Sequence, residues 1–316
     1  MSANLTNVAV IGAGMAGLTF ASEITRRGHK VTVFDKGRGP GGRMACRRAQ
    51  VAGRTVSFDH GAQYFTARDP RFEQAVDAWE KDGIVARWPA AGGEAFVGIP
   101  GMNGPLRALS KEIDVDWESR VSSLSFEDGQ WRLTIDETDR CFETVVLAVP
   151  AEQACELLEP VGHEFSQEVA QASSAPCWAV MAAFPAPLPV ARDVFRSQDG
   201  PISWAARNSA KPDRQGMEAW VIHASPARSE ALLELAPEVA ARIVMTDFFT
   251  VLGLQPVAPL HLVAHRWRFS LPSTLDGPAA RWDAEKRIGL AGDYLHSPRV
   301  EGAWLSGFAL AEMISG

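Results

Sequence analysis

Short apolar runs punctuated by glycine dominate the start of the chain, with a helical period between them. Residues 7–36 read NVAVIGAGMAGLTFASEITRRGHKVTVFDK. The β-branched runs VAVI and VTVF are apolar on both faces, which predicts buried parallel strands. Leu18, Ala21 and Ile24 fall at helical spacing between them, and Gly28 predicts the close of a helix over 15–27. Further on, TVSFDHGAQYFT (55–66) predicts a strand turning at Gly61, and 71–82 a helix. VSSLSFEDGQWRLTID (121–136) alternates around a central Asp-Gly and predicts a hairpin. TVVLAVP (144–150) predicts a buried strand that stops at Pro150. The stretch KGRGPGGRMACRR (36–48) is too rich in glycine for a regular element. From about 165 to 283, proline clusters, tryptophans and a predicted helix near 228–253 replace the strand-rich pattern, which returns in the last segment as strand, loop and helix.

Composition narrows the class. The 316 residues, 46% hydrophobic and 22% charged, fit a soluble globular chain of two domains. A net charge of −7 argues against general nucleic-acid binding. No run approaches the ~18 apolar residues of a membrane span, and no basic n-region suggests a secretory signal. Cys46, Cys141, Cys155 and Cys177 are scattered, so neither a zinc site nor a disulfide framework is expected, in keeping with a reducing cytoplasm. Ten tryptophans against two tyrosines suggest that some line a pocket for a flat ligand.

The chemistry starts at Gly12-Ala13-Gly14-Met15-Ala16-Gly17, a GxGxxG between a strand and a helix. Gly12 permits the tight turn, Gly14 the approach of a pyrophosphate, and Gly17 the packing of helix on strand. Asp35, ending the second strand, is placed for ribose hydroxyls. The basic loop that follows, beginning with Lys36, brings cations beside the dinucleotide site. These features predict an α/β fold: a Rossmann-type domain of segments 1–70, 102–160 and 284–316. A second, α+β domain with a mixed sheet would comprise 71–101 and 161–283.

DKGRGPGGRM (35–44), TVVLAVP and GLAGD (289–293) together resemble two-domain flavoproteins of the amine oxidase and p-hydroxybenzoate hydroxylase kind. That resemblance implies FAD; the cysteine pattern makes it non-covalent, and nothing in the residues favours the remaining alternative of a histidyl link. Asp293 would hold the ribityl chain, Arg43 would lie by the phosphates, and Val121 would reach the adenine. Gly61, Gln63 and Tyr64 would lie against the flavin ring, with His60 at its edge. No cysteine follows Cys177, so a C-terminal cysteinyl link is excluded.

Amine oxidases of this kind keep a mid-chain lysine near the flavin, yet no lysine occurs from Glu112 to Ala210. Cys177 and Trp178 stand near its expected place in SSAPCWAVMAAF. FDHGAQYFTARDPRF, IPGMNGPL, WAARNSAKPDR, WVIHAS, AHRWRFS and RVEGAWLSG resemble the bacterial renalase family instead. This implies an H2O2-forming oxidase of 1,2- and 1,6-dihydro-NAD(P), with a dinucleotide and O2 as its partners. The alternative is an amine or other small-molecule oxidase of the same superfamily. Candidate substrate contacts are Tyr64, Phe65, Thr66, Trp178, Trp204, Trp267 and His296, with Arg68 or Arg207 for a phosphate. Tyr294 and His296 are expected beside the flavin ring, while His223 and His265 are expected in the core.

Overall fold

The computed structural model describes residues 7–214 and 216–315. Its largest sheet has six strands, in the order Ala280–Asp283, Ile288–Ala291, Thr144–Leu147, Val8–Ile11, Val31–Phe34, Asp114–Asp116. All neighbours are parallel except the first pair. Val8 and Val10 pack on helices Met15–Arg26 and Val300–Ser315, whereas Ala9 and Ile11 pack on the opposite side with Trp131, Leu133 and Leu158. Both faces of the strand are therefore covered, as its unbroken apolar run requires. The two helices cross closely because Gly307 has no side chain; a Cβ there would lie 2.1 Å from the Ala16 carbonyl oxygen.

Local expectations in this region hold closely. The first helix ends at Arg26, with Gly28 at φ +89°. The hairpin Val121–Glu127/Gln130–Ile135 turns on Asp128 and Gly129, both at positive φ, as a two-residue primed turn demands. The glycine-rich stretch is less irregular than expected: its last residues begin the strand Cys46–Val51, paired antiparallel with Arg54–Asp59.

The second sheet has five strands, in the order Val194–Arg196, Ile202–Arg207, Glu218–Ala224, Ser174–Phe184, His261–Pro272. Every pairing is antiparallel, which corrects the expected mixed sheet. Its connections are hairpins and antiparallel returns, without the crossover that a parallel pair needs. Trp178, Val180, Ala182 and Phe184 face helix Pro237–Leu252, while Met181 and Ala183 face Val51, Val56 and Phe58 of the Cys46–Asp59 hairpin. The single helix expected near 228–253 is two, Pro226–Ala231 and Pro237–Leu252. Pro237 opens the second, where its missing N–H leaves no bond unmade.

Segment 71–101, expected with the second domain, shares its core with the first: Phe72, Val76, Trp79 and Trp88 lie in one cluster with Val8, Leu18 and Leu310. Among the described residues, no helix is long and apolar enough to cross a membrane.

Candidate active site

A cleft of about 1990 Å³ is lined by both sheets and by the loops between them. Ordinary small-molecule pockets run to about 1,000 Å³, so this one has room for a cofactor and a second ligand.

At one end the three fingerprint glycines do three different jobs. Gly12 sits at φ +107°, and a Cβ there would lie 2.5 Å from the Ala148 carbonyl oxygen. A Cβ on Gly17 would lie 2.0 Å from the Gly12 carbonyl oxygen. Gly14 meets nothing within 4 Å and borders the cleft. It is also the N-cap of the first helix and, having no side chain, leaves that terminus without a cap from its own residue. An anion arriving there meets the positive end of a helix dipole. The Asp35 carboxylate accepts the Ala13 N–H and the Gly37 N–H, each at 2.7 Å, so it ties the glycine turn to the basic loop. Each oxygen keeps a further lone pair for a hydroxyl. Ala16, Lys36 and Val121 also line the cleft.

Three distant motifs converge on Arg43. Its guanidinium donates to both oxygens of Asp293, at 2.8 and 2.6 Å. Its carbonyl accepts the Ala62 N–H at 2.7 Å. Gly61 allows this approach, since a Cβ there would lie 2.1 Å from that carbonyl oxygen. Asp293 is itself positioned by Gly292, whose N–H donates to Ser306 Oγ at 2.8 Å.

Gln63, Tyr64, Phe65, Thr66 and Arg68 continue along the cleft. Tyr64 stacks on Trp204 at 5.3 Å, with the Arg196 guanidinium over both rings. Opposite, Trp267 stacks on His60 at 5.2 Å and donates its indole N–H to the His60 carbonyl at 2.9 Å. The second sheet brings Trp204, His223, Ala179 and His265 into one row, because these residues are register partners on adjacent strands. Trp204, His223 and His265 all line the cleft. Burial lowers the His60 and His223 pKa values to about 4 and also lowers His265. This row is therefore uncharged near neutral pH. Burial pushes the Cys177 thiol up to about 12, so it carries no charge either.

Four expected contacts fall elsewhere. Trp178 faces away from the cleft, fully buried, with its indole N–H on the Leu232 carbonyl at 3.1 Å. Strand alternation decides this: Cys177 and Ala179 take the other face. Arg207 is consumed by Asp193, Glu218 and the carbonyls of Leu188 and Val190. His296 is exposed beside Ser297, because the single turn Asp293–Leu295 carries it past the cleft. Tyr294 is buried in the core behind that turn.

His223 and His265, expected in the core, are cleft residues. Lys211 lies one position beyond the lysine-free stretch. Its Nζ is fully buried, 3.2 Å from Asp59 and donating to Gln63 Oε1 at 3.2 Å. Gln63 lines the cleft, whereas Lys211 does not. Burial lowers the Lys211 pKa to about 8 despite Asp59.

Comparison with known proteins agrees with this architecture. Residues 10–79 match the NAD(P)-binding Rossmann-like domain, and residues 81–315 match the flavin containing amine oxidoreductase family. A flavin-containing monooxygenase of Arabidopsis thaliana is 55% identical over 40 residues, which is 13% of this chain and 8% of that protein. Among solved structures, the protoporphyrinogen oxidase candidate from Exiguobacterium sp. 255-15 has a TM-score of 0.77 at 15% identity, covering 98% of both chains. Wild-type putrescine oxidase bound to putrescine has 0.71 at 14%, covering 98% of both. Cyclohexylamine oxidase from Brevibacterium oxydans IH-35A has 0.68 at 14%, covering 98% of this chain and 99% of that one. At such identities the likeness to these structures is one of fold.

Proposed function

The chain belongs to the flavin containing amine oxidoreductase family, and from that premise we propose a non-covalent FAD oxidase of misreduced nicotinamide dinucleotides, the 1,2- and 1,6-dihydro isomers of NAD(P)H. The residues present suit FAD. The open cradle at Gly14 and the helix behind it suit the pyrophosphate, with Arg43 beside it. Asp35 and Asp293 suit the two sets of hydroxyls, Val121 the adenine, and Gln63 and Tyr64 the ring. When bound, FAD supplies the hydride acceptor and hands the electrons to O2, giving H2O2.

One observation carries the choice of substrate. On the central strand, the residues paired with the cleft-lining His223, His265 and Trp267 are Ala179 and Cys177, neither of them basic, and the histidines beside them are uncharged, where an amine oxidase would keep an ammonium group. A dihydronicotinamide needs no strong base, because its ring nitrogen lone pair expels the hydride. It needs flat walls that hold the donor carbon about 3–3.5 Å from its acceptor. Tyr64 with Trp204, and His60 with Trp267, supply such walls. The resemblance of FDHGAQYFTARDPRF, WVIHAS and AHRWRFS to the renalase family points the same way.

Anaerobic mixing of the yellow protein with 1,2- and 1,6-dihydro-NAD, NADH and a panel of amines tests this reading. Bleaching of the flavin by the isomers alone is expected. Bleaching by amines alone would establish the wider-family activity in its place.

A further inference from the structure

The cleft is cationic in an acidic protein. Eleven lysine and arginine residues line it against four acids, in a chain of net charge −7. The acids are largely engaged: Asp293 by Arg43, Asp35 by two backbone N–H groups, and Glu301 by the N–H groups of Arg68 and Asp69. Arg47 stands apart among the cations. It pairs across its hairpin with Phe58, so it shares the face of Val51 and Val56 that packs on the second sheet. At Arg47 that packing gives way to the cleft. Its hairpin partner Phe58 stacks on His261 at 5.5 Å, which sets Arg47 beside the strand His261–Pro272 that carries His265 and Trp267. Among the described residues, no hydrogen bond or ion pair holds its guanidinium.

We infer that Arg47 binds a phosphate of the substrate, at the end of the cleft walled by His60, His265 and Trp267. This rests on the dinucleotide reading above and adds the anchor for its charged half. Arg207, one of the two arginines expected to meet a phosphate, is already neutralised by Asp193 and Glu218.

The FAD-loaded protein should be titrated with ADP-ribose, a redox-inert phosphate probe, and separately reduced by dihydro-NAD isomers and by the phosphate-free dihydronicotinamide riboside. Arg47→Ala should weaken ADP-ribose binding and raise half-saturation by dihydro-NAD at least about tenfold, the loss of one strong charge-assisted contact. The limiting rate, the flavin content and the response to the riboside should not change, and Arg47→Lys should recover part of the loss. Unchanged ADP-ribose affinity in Arg47→Ala would overturn the inference, as would no ADP-ribose binding by the wild type. Loss of flavin from Arg47→Ala would assign Arg47 to the cofactor and overturn it equally. If ADP-ribose binds through Arg47 but no isomer bleaches the flavin, the anion site stands and the oxidase reading falls.

Discussion

Asp59, ending the Cys46–Asp59 hairpin, and Lys211, in the loop between two strands of the second sheet, meet at 3.2 Å with both side chains fully buried. Arg214 joins at 2.9 Å, and the Met102 N–H donates to the same carboxylate at 2.9 Å. Burial alone would raise the Asp59 pKa, but Lys211 and Arg214 hold it below the ordinary carboxylate range. The cluster fastens the Cys46–Asp59 hairpin to the second sheet directly behind Gln63.

Removing the anion should be costly. Asp59→Asn strands two buried cations and should destabilise the protein by about 3–5 kcal/mol. Lys211→Met in the same background should return part of that loss. Chemical denaturation measures both, and a loss under about 1 kcal/mol in Asp59→Asn would refute the buried-charge account.

Two glycine substitutions should separate folding from cofactor retention. Gly14→Ala puts a methyl into open cleft, so melting of the flavin-free protein should hold while flavin affinity drops at least about tenfold. Gly61→Ala drives a methyl into the Arg43 carbonyl, so both should fall. Thermal melts and the flavin-to-protein absorbance ratio report the two effects.

Asp293→Ala should also loosen the cofactor by about tenfold or more, through lost hydroxyl contacts and a displaced Arg43. Equilibrium dialysis of FAD measures it. Wild-type retention in this variant would remove Asp293 from the cofactor site.

Acid should charge the cleft histidines. His60 and His223 fall from 6.5 to about 4 on folding, so the unfolded chain binds more protons between those values. Their stabilising contribution is intact above pH about 6.5 and is lost as pH falls through about 4, by roughly 3 kcal/mol for each histidine. His223→Gln should flatten the stability–pH slope in that window. An unchanged slope would contradict the buried, uncharged state.

Much of this was legible because it is local. Gly12, Gly14 and Gly17 announce a strand–turn–helix whose geometry needs no distant partner, and Asp128-Gly129 announces its hairpin. Asp293 was singled out by resemblance alone, and nothing near it in sequence names Arg43 as its partner. Side-chain direction in the second sheet was not legible. Trp178 and Ala179 are neighbours facing opposite ways, and packing on helix Pro237–Leu252 fixes Trp178 on the side away from the cleft. His223 and His265 looked like core residues because they sit in apolar strands, and only register brings them into line with Trp204. His296 was misplaced by one short turn, which no pattern of residue types reveals.

The Arg43–Asp293 contact spans 250 residues. A ribosome adding about 5–20 residues per second delivers Asp293 roughly 10–50 s after Arg43. Throughout that interval the nascent chain carries a complete glycine turn but lacks its carboxylate. With Asp293 in the proposed cofactor site, the flavin would be captured only after that segment is translated, and its colour would mark chains whose synthesis has passed that point.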